Sequence, residues 1–128
     1  MSLRIGLLLC LTTLTLAGCE SMGACTLNIE PGVEVEVRDR LTNEYLTVTP
    51  RGVVRGGTFQ DSLREGGQTL EIPPRTVSLI GADERPGRYV VQLEAVGYQP
   101  WDTAGVQASE GDCHVQTASF TAAMDPAP

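Results

Sequence analysis

The groups in this 128-residue chain that can do covalent chemistry are four thiols, Cys10, Cys19, Cys25 and Cys113, and one imidazole, His114. A single histidine cannot build a histidine-based metal cluster within one subunit. Cys113 next to His114 is a poor metal pair, because adjacent residues on a strand point to opposite faces. A Ser-His-Asp arrangement would have to recruit the same His114, and no Gly-x-Ser-x-Gly is present. Sixteen carboxylates keep a small hydrolase among the alternatives, yet paired acid and base work needs a cleft that one small domain seldom provides. Glu110-Gly111-Asp112 with Asp102 offers oxygen ligands for calcium, but its spacing is not that of an EF-hand loop and suits a hairpin turn better. Neither metal nor organic cofactor is called for, and the chemistry concentrates on the thiols.

Cys19 follows Leu16 and the small residues Ala17 and Gly18, which come directly after the apolar run Ile5 to Leu16 behind the positive Arg4. Spanning a bilayer takes about 20 apolar residues, so this run is too short. The pattern resembles the signal peptide and lipobox of bacterial lipoproteins, in which the cysteine is acylated and becomes the first mature residue. The resemblance implies that residues 1–18 are removed and that Cys19 holds the protein to the lipid bilayer of the cell envelope. Glu20 stands where an aspartate usually signals retention at the inner membrane, and so permits the outer membrane in a Gram-negative source.

Residues 19–128 amount to one ordinary domain with a modest core. Arg4 leaves with the leader, so eight arginines face sixteen acids, a formal charge of −8. Nucleic acid is excluded as a partner by that balance, since phosphate recognition needs clustered basic charge. Every basic residue is Arg, which excludes a Schiff-base lysine or a lysine linkage to the cell wall. With Cys10 discarded and Cys19 lipidated, Cys25 and Cys113 remain, an even pair that export into an oxidising compartment makes a disulfide. Only Glu20 to Ala24 separate Cys19 from Cys25, a tether of at most about 20 Å.

The elements that position these groups read as strands. Val33-Glu34-Val35-Glu36-Val37-Arg38 alternates strictly, with three valines on one face. Arg88 to Ala95 repeats the pattern with Tyr89, Val91, Leu93 and Ala95 inward, introduced by Pro86-Gly87 and closed by Gly97. Shorter β-rich runs occupy Tyr45 to Thr49, Gly52 to Arg55, Thr58 to Leu63 and Thr76 to Leu79. In the last run, Cys113 to Ala122, Val115 and Phe120 are out of phase unless a bulge shifts the register. No mature stretch carries helical apolar spacing. The expected fold is all-β, a single Greek-key sandwich of about seven strands over residues 26–124, with a lipidated tether at 19–25 and a disordered tail at 125–128.

Three segments together resemble the carboxypeptidase regulatory-like, or transthyretin-like, domain. They are Val35 and Val37 leading to Asp39 and Thr42-Asn43, then Pro86-Gly87-Arg88-Tyr89-Val90-Val91, then Ala95-Val96-Gly97-Tyr98. The likeness covers about residues 33–122 and departs from the pattern at Asn43, where the family usually has Gly; Asn tolerates the left-handed turn. It implies an accessory Greek-key β-sandwich with no catalytic motif to carry over. The expected function is accordingly a membrane-anchored, non-catalytic binding or structural module with an envelope protein or a glycan as partner. The alternative is a glycan-binding surface that uses Tyr98 and Trp101 as stacking rings, set against their employment in the core, where so few large aromatics are needed.

Overall fold

The computed structural model describes residues 25–128, so the leader, Cys10, Cys19 and the tether to Ala24 lie outside the described residues. The chain forms nine strands in two sheets: β1 (Val33–Asp39), β2 (Arg51–Gly56), β3 (Phe59–Ser62), β4 (Arg64–Gln68), β5 (Thr76–Gly81), β6 (Gly87–Glu94), β7 (Trp101–Glu110), β8 (Val115–Gln116) and β9 (Ala118–Met124). The four-stranded sheet runs β4-β5-β1-β9 and the five-stranded sheet β3-β2-β6-β7-β8. The fold is a β-sandwich, with two strands more than the sequence suggests and no helix among the described residues.

Alternation builds the core. Val33, Val35 and Val37 of β1 are fully buried, and Tyr89, Val91 and Leu93 of β6 face them from the other sheet. Val54, Leu79, Ala122 and Met124 fill the space between, while Glu34 and Glu36 stay on the outer face. Each fully buried Val or Leu contributes roughly 1.5 to 3 kcal/mol of transfer free energy, so the valine stripe alone fixes which face of β1 turns inward.

Departures from the expected strands have local causes. Tyr45 to Thr49 is not a strand: only Tyr45 bridges back to Arg38, because the segment must cross from β1 in one sheet to β2 in the other. Cys113 to Ala122 is not one strand with a bulge but two, β8 and β9, in different sheets. The crossing at Thr117 is held by its hydroxyl, which donates to the Pro31 carbonyl at 2.6 Å. Val115 and Phe120 thus lose their common phase because they serve different sheets. β4 and β7 have no sequence counterpart above. In β7 the inward set changes from Trp101 and Thr103 to Val106 and Ala108 across Gly105, whose φ of +74° marks a bulge opposite Tyr89 and Val91. Residues 125–128, expected to be disordered, are hydrogen-bonded: Gln99 N–H donates to Asp125 O and Ala127 N–H to Gly97 O, both at 2.8 Å.

Candidate functional site

The strands run between two ends with different chemistry. At one end Cys25 and Cys113 form a disulfide that closes 88 residues, with their Cα atoms 5.3 Å apart. Beside it Glu84 gathers the N-terminal segment and the last hairpin. Its Oε1 accepts from the Glu30 N–H at 2.8 Å and from His114 Nδ1 at 2.6 Å, and its Oε2 accepts from the Val115 N–H at 3.2 Å. These donors, the Glu30 amide foremost, hold the Glu84 carboxyl below its ordinary range. His114 Nε2 lies 3.0 Å from the Thr26 hydroxyl. His114 is thus a structural bridge, reached only by tertiary folding, and the sequence carries no signal for its pairing with Glu84.

The opposite end is organised by Asp39. Its Oδ1 accepts the N–H groups of Leu41 at 2.7 Å and Thr42 at 3.0 Å, and its Oδ2 accepts the Tyr98 hydroxyl at 2.8 Å. The Thr42 amide and then the Tyr98 hydroxyl lower the Asp39 carboxyl below its usual range. Partial burial and the facing carboxylate raise the Tyr98 phenol. Asn43 takes the left-handed conformation the turn requires, at φ 59°. Arg40 pairs with Asp125 at 2.6 Å, which fastens the tail to the same knot. Around it the loops expose Leu41, Leu70, Ile72 and Val96.

The two rings singled out as stacking residues do not form one platform. Trp101 is half-buried against the core rim and stacks on Phe120, with centroids 6.2 Å apart and planes 18° from parallel. The Tyr98 hydroxyl is committed to Asp39. Trp101 lines a depression of about 530 Å³ with Arg51, Val53, Gln92, Glu94 and Asp102. Tyr98 lines a neighbouring one of about 270 Å³, and the two share Arg51, Glu94 and Pro100. Glu94 and Asp102 are both exposed on an open sheet face that does not exclude water, which is unsuited to paired acid and base catalysis. Asp102 is the second residue of β7 and Glu110 its last, so the calcium set is not assembled; Glu110 instead pairs with Val115 across the β7–β8 hairpin. Among the described residues no group of three or more His, Cys, Asp or Glu side chains is placed to hold a metal ion.

Neither a scan against protein-family models nor a search of curated proteins finds a match to this chain.

Proposed function

We propose that the protein is an exported, lipid-anchored envelope module whose β-sandwich binds or scaffolds a partner without catalysis, tethered through acylated Cys19 to the outer membrane in a Gram-negative host. The observation that carries this reading is the Cys25–Cys113 disulfide, which suits an oxidising compartment and stands six residues from Cys19. Tethering at that end leaves the Asp39 end and both outer sheet faces free for a partner. Kinship with carboxypeptidase regulatory-like domains is part of the proposal. It is supported by the Asp39 to Tyr98 hydrogen bond, which joins the first and last segments of the motif across 59 positions. Replacing Cys19→Ser should abolish palmitate labelling and free the exported protein from membranes, since stable anchoring takes two or more acyl chains. Continued labelling of the variant refutes the anchor.

A further inference from the structure

Eight arginines lie in the described residues, and their partners divide them sharply. Arg38, Arg40, Arg64 and Arg75 are in ion pairs with carboxylates. Arg85 lies over the Phe59 ring at 4.2 Å. The remaining three, Arg51, Arg55 and Arg88, form no ion pair among the described residues, and all three project from the outer face of the five-stranded sheet. The alternation requires this. Val54 and Gly52 face inward on β2, so Arg51 and Arg55 face out; Tyr89 and Val91 face inward on β6, so Arg88 and Val90 face out.

Arg55 and Arg88 flank a depression of about 740 Å³ whose other lining residues are Gly56, Gly57, Tyr89, Val90, Ala104 and Gly105, with no carboxylate among them. Gln60 accepts from Arg55 Nε at 2.9 Å, which orients the guanidinium and leaves its terminal N–H groups free. Gly57 and Gly105 present bare backbone to open space at this wall. Arg55 also lines the depression of about 530 Å³ toward Trp101, where Ser62 and Gln92 supply hydroxyl and amide groups. The two carboxylates of this face, Glu94 and Asp102, sit at that far end.

Arg51 stands opposite Glu94, but Arg55 and Arg88 are unpaired on one face and away from carboxylates, which in an acidic chain is a recognition feature for anions. We propose that this face binds an acidic polysaccharide, its carboxylates seated at Arg55 and Arg88 and its neutral hydroxyls running along Ser62 and Gln92 toward Trp101. Two free guanidiniums at the carboxylate-free end, with the Ser62 hydroxyl and the Gln92 amide beyond them, match a sugar acid, which carries hydroxyls next to its carboxylate. Two unopposed arginines are too few to hold an anionic membrane, each being worth about 1 kcal/mol there. The inference deepens the binding-module reading and does not depend on the lipid anchor.

The test uses the full-length protein, purified in detergent, with oligogalacturonate as probe and neutral dextran, inorganic phosphate and phosphatidylglycerol vesicles as comparisons. Oligogalacturonate should bind, more weakly as salt rises, and dextran should not. The double variant Arg55→Gln with Arg88→Gln should lose about tenfold or more in affinity, as expected for lost charge-assisted hydrogen bonds, with an unchanged melting temperature. Arg40→Gln, which removes the same charge from the far end of the fold, should bind like the parent. No binding by the parent, equal binding by the double variant, or binding of phosphate or vesicles in preference to oligogalacturonate would overturn the proposal. Palmitate labelling of Cys19 reads the anchor separately.

Discussion

Asp39 holds three donors from two loops, so its ionisation is coupled to the integrity of the end of the fold farthest from the disulfide. Its folded-state pKa is depressed below the ordinary 3.8. The stabilisation from the ionised carboxylate is therefore fully present above about pH 5 and is lost as pH falls through 3.8 and below. Asp39→Asn should lower the melting temperature at neutral pH, and the gap to the parent should close on acidification; parallel melts between about pH 7 and pH 3 measure this. A gap that stays constant across that range would place the effect elsewhere. Trp101 presents a different case. Half-buried against Phe120, it should cost about 2 kcal/mol when replaced by alanine, less than a fully buried Trp. Its fluorescence should be quenched by acrylamide to an extent between free and inaccessible indole. An unchanged stability in Trp101→Ala would mean that the ring is a free platform.

At the scale of elements, the disulfide and the crossing between β8 and β9 belong to one device. Cys113 lies in the hairpin that precedes β8, and β9 then pairs in parallel with β1 from Val33 against Ala118 to Asp39 against Met124. Linking Cys25 to that hairpin closes an 88-residue separation, which stabilises the fold by roughly 4 to 5 kcal/mol if unfolded-chain entropy is the cause. A non-reducing peptide map should recover the Cys25 and Cys113 peptides joined. Reduction should lower the melting temperature by several degrees or more in a domain of this size. An unchanged melting temperature on full reduction would show that Glu84, His114 and Thr26 hold this end unaided. β7 shows how one residue resets an element: across Gly105 the inward positions pass from odd to even numbers, and so Val106 and Ala108 still reach the core.

For the whole molecule, polarity is the organising fact. Cys25 with Glu84 and His114 mark one end, Asp39 with Tyr98 the other, separated by the length of β1, about 23 Å for its seven residues. If the tether from Cys19 anchors the first end, a thiol introduced as Thr26→Cys should react slowly with a bulky maleimide on intact membranes. One introduced as Thr42→Cys, in the exposed β1–β2 turn, should react fast. Equal rates would mean that the sandwich lies free of the bilayer.

Much of this fold is legible in the chain itself. Where one face of a strand is buried and the other wet, as in Val33 to Arg38 and Arg88 to Glu94, period-two alternation determines the strand and its inward face, because burial of each apolar side chain outweighs any alternative register. The Cys25–Cys113 disulfide is reached through the resemblance to lipoproteins, which sets Cys10 and Cys19 aside, and the Asp39, Gly97 and Tyr98 signature through the resemblance to carboxypeptidase regulatory-like domains. Other features were decided only by tertiary structure. Gly105 reverses the phase of β7, and Tyr45 to Thr49 spends its β propensity on a crossing; each is set by what the opposite sheet requires. The pairing of Glu84 with His114, the ion pairs of Arg40 and Arg64, and the half-burial of Trp101 have no local cause. They arise from contacts between residues 19 to 85 positions apart, and the alternation of a single strand carries no information about which partner lies across the sandwich.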